Sequence, residues 1–195
     1  MTIKTRLCAK SEKLMDIRQE ITEKAPSLGI YQCGFVSTAE INVSPMVRTM
    51  CEKNVCGAYG KTWACPPGVG DIDECLRRMR AFTTAFHFST RHELEDSYDF
   101  EGMTDGKKAH EAIVPGVVAF FREKFGKDMM VLSTEVCRRC PKCTYPDAPC
   151  RFPDELTPSI ESSGVEVNVL SQKSGIRYHN GKNTVTFHSC VFFNE

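Results

Sequence analysis

The 195-residue sequence contains no apolar run approaching the roughly 20 residues that a membrane-spanning helix needs. Its opening, Met1 to Glu20, is broken by charge throughout and has no apolar core of the secretory kind, so a cytoplasmic protein is expected. Net charge is also missing, because 25 Lys and Arg balance 25 Asp and Glu. Without an overall basic field, neither nucleic acid nor an anionic membrane is expected as a partner. The five histidines (87, 92, 110, 179 and 188) are scattered, and each reads as a surface or core residue instead of a ligand. Repeats and low-complexity tracts are absent.

Cysteine is what the chain has in excess, with 11 residues. In a reducing compartment, clustered thiols serve as metal ligands or redox groups more often than as disulfides, and the odd count agrees. Eight of them fall into two groups. One reads Cys137-Arg-Arg-Cys140-Pro-Lys-Cys143 and then Pro149-Cys150; the other is Cys51, Cys56 and Cys65, with Pro66-Pro67 after it and Cys75 ten residues on.

Thiolates are soft donors that suit iron–sulfur clusters and zinc. Structural zinc is usually gripped by two separated C-x2-C knuckles, often with histidine. A cubane offers several iron corners, so one loop can place three thiolates around it at C-x2-C-x2-C spacing. Cys137, Cys140, Cys143 and Cys150 have that second form, although the x6 gap before Cys150 departs from the ferredoxin x3. The C-x4-C-x8-C spacing of the first group has no such assignment. Its cysteines read either as structural thiols beside a Gly/Pro loop or as a second metal site, which Cys75 would close or leave open. Cys8, Cys33 and Cys190 fit small buried hydrophobes.

The apolar pattern suggests a single layered domain over 1–195, α/β or α+β, with a mixed sheet and cysteine-rich loops at about 51–75 and 137–153. Leu7, Leu14, Ile17 and Ile21 mark an opening amphipathic helix. Ile30 to Ser37, Thr83 to Thr90, Met129 to Glu135, Val165 to Leu170 and Val185 to Phe193 read as strands. Ser44-Pro45 starts a short helix that delivers Cys51, and Asp71 caps another through Arg80. A longer helix over about 107–127 is kinked or restarted by Pro115, and a surface loop fills 91–106. Thr157-Pro158 opens a helix ending near Gly164, and Asn180-Gly181 signals a hairpin.

Three blocks carry a wider likeness. They are Cys51-x4-Cys56-Gly-x-Tyr59-Gly60-Lys61-x-Trp63-x-Cys65-Pro66-Pro67, then Cys137-x2-Cys140-x2-Cys143-x6-Cys150-Arg151-x-Pro153, then Pro158-Ser159-x-Glu161-x2-Gly164-Val165-x-Val167. In this order the chain resembles the DUF2284 family of small predicted metal-binding proteins over about residues 45–170. The resemblance implies a bound metal, in all expectation iron–sulfur, in a compact α/β domain. It also implies that Cys51, Cys56 and Cys65 join the metal-binding set, while Cys75 is not a fixed part of the family's motif.

Two other motifs fail on inspection. Gly57-Ala-Tyr-Gly60-Lys61-Thr62 ends like a phosphate-binding loop, but Val55 stands where the first glycine is needed and Trp63-Ala-Cys-Pro-Pro replaces the following helix. Cys140-x2-Cys143 resembles a redox dithiol but is flanked by further cysteines and no helix. The leading expectation is therefore an iron–sulfur redox protein, passing electrons to a partner protein through one or two [4Fe-4S] clusters. Arg138, Arg139, Lys142 and Arg151 around the second loop would then tune its potential or dock the partner. The alternatives are an enzyme whose first site leaves an iron open to a small-molecule substrate, with Tyr59, Lys61 and Trp63 nearby, and a zinc-binding interaction module.

Overall fold

The structure, a computed structural model, describes residues 17–195. Leu7, Cys8 and Leu14 therefore lie outside the described residues. The described end of the opening helix, α1, covers 17–24 and buries Ile21 before a 3-10 turn, Ala25–Leu28, closes on the left-handed Gly29.

Four strands, β1 (Gln32–Ser37), β2 (Thr84–Glu93), β3 (Met129–Leu132) and β4 (Thr184–Phe193), form a sheet in the order β1-β2-β4-β3. The long central pair β2 and β4 stays in register from Thr84 opposite Phe193 to Glu93 opposite Thr184. The fold class is α+β. The expected mixed sheet is corrected, since every strand pairing is antiparallel. The reason is topological: β2 and β3 run in the same direction, joined through α4 (Phe100–Phe125), but β4 inserts between them. An isolated parallel bridge joins Ser133 to Ser159.

Alternation along the strands feeds two cores. Phe86, Phe88, Val191 and Phe193 pack with Ile21 and with Val114, Val117 and Phe121, the inward stripe of α4. Ala85, Cys190 and Phe192 point the other way and pack with Met79 and Cys75 of α3 (Ile72–Arg80), with Ile160, and with Leu170 of α5 (Val167–Ser174). With helices covering both faces, the central strands lose the apolar-in, polar-out signature of a one-sided sheet. Cys190 is fully buried, as expected for a small hydrophobe, and Cys33 is half-buried against the α4-side core.

The helix starts fall where expected. α2 (Pro45–Glu52) starts at Ser44-Pro45, without a hydrogen bond from the Ser44 side chain, and the Asp71 carboxylate accepts from the Glu74 N–H at 2.7 Å at the head of α3. Elsewhere the expectations change. The 91–106 segment is not a loop: β2 continues to Glu93 and α4 begins at Phe100, where the Asp99 carboxylate accepts from the Gly102 N–H. α4 runs through Pro115 without restarting, because Val114 and Val117 on either side are held against the sheet. Instead of a helix from Thr157, a 3-10 turn, Glu161–Ser163, ends on left-handed Gly164. Val165 makes one bridge to Val43, and the rest of the expected strand is α5, ended by left-handed Gly175. The Asn180-Gly181 hairpin lacks a first strand, since α5 precedes it and β4 pairs with β2.

His87 and His188 meet inside the α5 side of the sheet, with Nε2 and Nδ1 3.0 Å apart, and His87 also contacts the Ser174 hydroxyl at 2.8 Å. Burial holds His87 well below the usual range, helped by the charge of His188, and brings His188 down to about 4. A group whose folded pKa is depressed binds more protons when unfolded, so stability falls as pH drops through the gap. Thermal melting between pH 7 and pH 4 should therefore show a loss of Tm that begins near pH 6.5, and His188→Asn should flatten that dependence.

Candidate metal centre

The first cysteine group is assembled from a helix end and a tight loop. Cys51 lies in the last turn of α2, and its thiol sits 4.0 Å from the Glu161 carbonyl. After it the chain reverses at Asn54, whose carboxamide oxygen accepts from the Tyr59 N–H, and the Gly60 N–H donates to the Pro66 carbonyl at 2.8 Å. These bonds bring Cys65 back beside Cys51 and Cys56. All three line one cavity of about 330 Å³, whose other walls include Tyr59, Lys107, Thr134, Glu135, Arg138 and Glu161.

The second group follows β3 without a helix. Cys137, Cys140, Cys143 and Cys150 line another, tighter cavity, and Thr62, Trp63 and Ala64 of the first loop form part of its wall. The two loops are thus built against each other. The Trp63 indole N–H donates to the Ala148 carbonyl at 3.0 Å, and its ring meets Tyr145 edge-on at 4.9 Å. Gly68 fits beneath both, because a Cβ there would lie 2.5 Å from the Thr62 carbonyl oxygen and 2.9 Å from the Tyr145 ring.

Of the cations around the second loop, Arg138 pairs with Glu135, and Arg139 pairs with Glu155 while lying over the Phe152 ring at 4.2 Å. Arg151 donates to the Lys142 carbonyl at 2.9 Å and so braces the loop between Cys143 and Cys150. Trp63 packs, Lys61 is exposed, and Tyr59 alone of the three polar or aromatic candidates faces the three-cysteine cavity.

Burial and neighbouring thiols oppose the ionisation of Cys51 and Cys65. Burial raises the Cys65 pKa, the Thr62 hydroxyl opposes that shift, and Cys56, Cys137 and Cys143 raise it further. Cys65 therefore feels both groups. Cys51 is raised by burial and by Cys56, Cys65 and Glu161, against the pull of Arg48. Glu161 opens onto the cavity but is crowded by protein, and that desolvation raises its carboxyl. Positive charge beside Cys51 and Cys65, which a bound metal supplies, would favour their thiolates against these effects. The Thr62 hydroxyl lies in the wall of the four-cysteine cavity and acts on the Cys65 thiol, a further link between the two groups. Among the described residues, no three Cys, His, Asp or Glu side chains converge tightly enough to hold a single ion.

Cys75 belongs to neither cavity. It is 2% exposed, accepts from Arg78 at 3.2 Å and from Arg48 at 3.6 Å, and reaches the Val69 carbonyl at 3.6 Å. Cys75→Ala should leave metal content unchanged while lowering stability by about 1 kcal/mol, read by metal analysis and denaturant titration on the same preparation. Lys107 and Thr134 were not visible as site residues in the sequence, and Glu161 stood there only within the third family block. They reach the three-cysteine cavity through α4, the segment just after β3 and the 3-10 turn.

An α+β domain with two cysteine-lined cavities is suited to binding metal, and the family match agrees. The chain belongs to the DUF2284 family, described as predicted metal-binding proteins, which it matches over residues 34–193. No curated protein matches it. Among solved structures it is similar to selenomethionine-labelled epoxyqueuosine reductase, at 8% identity and a TM-score of 0.45, covering 91% of this chain and 46% of that one. It is likewise similar to epoxyqueuosine reductase with an epoxyqueuosine-modified tRNA-Tyr stem loop, at 9% identity and a TM-score of 0.45, covering 91% and 45%. The chain spans less than half the length of those structures. Among the described residues, no helix is long and apolar enough to cross a membrane.

Proposed function

We propose that the protein is an iron–sulfur redox protein with two sites of different kind. Cys137, Cys140, Cys143 and Cys150 hold one [4Fe-4S] cluster with a full thiolate set. Cys51, Cys56 and Cys65 hold a second that lacks a fourth cysteine and faces the open cavity. The observation that carries this reading is the sorting of seven cysteines, four and three, onto the walls of two adjoining cavities. Thiolates alone, spread around a cavity wall, suit a polynuclear iron centre. When bound, such clusters supply single-electron transfer and, at an iron without cysteine, a place for a substrate atom.

The chain's own residues do the rest. Trp63, Gly68 and Tyr145 lock the two loops together, so that electrons have a short path between the sites. Lys142 and Arg151, on the exposed side of the four-cysteine loop, offer positive charge to an acidic redox partner. Tyr59, Lys107 and Arg138 line the three-cysteine cavity with donors for a small polar substrate.

Electron paramagnetic resonance of the reduced, anaerobically prepared protein tests this reading. Added cyanide should change the signal of one cluster and leave the other unaltered. Two signals that both ignore the ligand would reduce the protein to an electron carrier, and zinc without iron would establish the interaction module instead.

A further inference from the structure

A file of buried polar side chains crosses the core between β2, α4 and β4 and ends at the three-cysteine cavity. His92 Nε2 lies 2.9 Å from the Thr90 hydroxyl, which lies 2.8 Å from His110 Nδ1. His110 Nε2 lies 2.7 Å from the Ser189 hydroxyl, which is 2.9 Å from that of Ser133. Ser133 donates to Glu111 Oε1 at 2.7 Å, and the Thr134 N–H and hydroxyl donate to the same oxygen at 3.2 and 2.8 Å. His110 and Ser189 are fully buried, and Ser133 and Thr90 nearly so, while His92 and Glu111 at the ends are half-buried. Thr134 is in the wall of the cavity that holds Cys51, Cys56 and Cys65.

The direction of every proton in this file follows from its carboxylate end. Three donors converge on Glu111 Oε1, so that oxygen is an acceptor and Ser133 spends its proton on it. Ser189 must then donate to Ser133, and His110 to Ser189 through Nε2–H. His110 Nδ1 is left bare to accept from Thr90, which in turn accepts from His92 Nε2–H. All the bonds point one way, from His92 toward Glu111. Room for this file is made deliberately: a Cβ on Gly106 of α4 would come within 2.9 Å of the His92 ring. Apolar side chains of similar size would fill this core as well without the cost of burying polar groups, so packing does not account for it.

We propose that His92, Thr90, His110, Ser189, Ser133 and Glu111 form a proton relay that supplies the three-cysteine cavity through Thr134. His92 takes a proton from water and passes its Nε2 proton to Thr90, and each group hands on its own until Ser133 protonates Glu111. The Thr134 hydroxyl, which donates to Glu111 at rest, then turns its proton toward an acceptor in the cavity, and the neutral Glu111 carboxyl protonates the Thr134 oxygen as that proton is released. One proton enters and one leaves, and no electrons move along the file. Burial holds His110 to about 3, with help from the charges of His188 and His92, so its ring stays neutral and the hops on either side of it are concerted. A reduction in the cavity consumes protons with its electrons, and a bound substrate would block water from the mouth. The destination of the relay rests on the proposed cluster site, whereas the relay itself does not.

The test uses the protein labelled with 15N-histidine, with or without metal. The His110 signal should be the Nε2–H tautomer, and its exchange with water should be slowed at least about tenfold by the near-isosteric Thr90→Val, which removes the hydroxyl link to His92. Thr90→Ser, which keeps the hydroxyl, should exchange within about twofold of the parent. A merely structural network would loosen when cut, so unchanged or faster exchange in Thr90→Val overturns the relay, as does an Nδ1–H tautomer at His110. Iron analysis of the same samples decides the cluster reading separately: exchange slowed as expected in a protein without iron keeps the relay and removes its destination.

Discussion

Cys140→Ala combined with Cys143→Ala is expected to remove about half of the bound iron and to leave the other half in place. Both residues belong to the four-cysteine cavity, and neither lines the three-cysteine one. Cys51→Ala combined with Cys56→Ala should remove the complementary half. Measured by iron content and by electron paramagnetic resonance of the reduced protein, the two double variants should each retain one signal, and a different one. If either variant lost all iron, the two groups would be building a single centre. Cys65 is the residue to watch in that comparison, because it feels the charges of Cys137 and Cys143 as well as Cys56. Cys65→Ala should therefore disturb the retained signal of the second site, a perturbation that Cys56→Ala does not produce.

The second large effect concerns a residue with no functional group. Gly68→Ala would place a methyl 2.5 Å from the Thr62 carbonyl oxygen and 2.9 Å from the Tyr145 ring. Backbone on one side and a ring wedged against Trp63 on the other leave neither neighbour free to give way. Relief requires the two cysteine loops to separate. A stability loss of about 1–3 kcal/mol is expected from overpacking of this kind. The sharper readout is kinetic: the variant should release iron to a chelator faster than the parent, from both sites together. Release from one site alone would mean that the loops are held independently, against the interlocked arrangement of Trp63, Ala148 and Tyr145.

How much of this was legible in the sequence depended on the range of the signal. Ser44-Pro45 and Asp71 act within one helical turn, and the helices that they start are where their chemistry puts them. The Val165, Val167, Val169 alternation misled because α5 is only eight residues long, and its inward Leu170 and Ser171 were outvoted by three β-branched neighbours. The polar 91–106 stretch hid a strand end and a helix start, since both lie at the solvent edge where apolar periodicity is weakest.

At the candidate site the cysteine spacings marked the loops but could not orient them. Cys65, beside Pro66-Pro67, and Cys75, on the next helix, could both have closed the first site by spacing alone. In the fold one turns to a cavity and the other to the Arg48 and Arg78 guanidinium groups. The histidines read as surface or core residues; three of them are buried, and His110 is threaded on the file to Glu111. Such a file joins β2, α4, β4 and the segment just after β3, so only the tertiary fold makes it visible.

The measurement that bears most directly on the central claim is the metal and sulfide content of anaerobically purified protein. Two cubanes predict about eight iron and eight acid-labile sulfide per chain, with broad absorbance near 400 nm that reductant bleaches. Zinc at one or two equivalents, with neither iron nor labile sulfide, would contradict it.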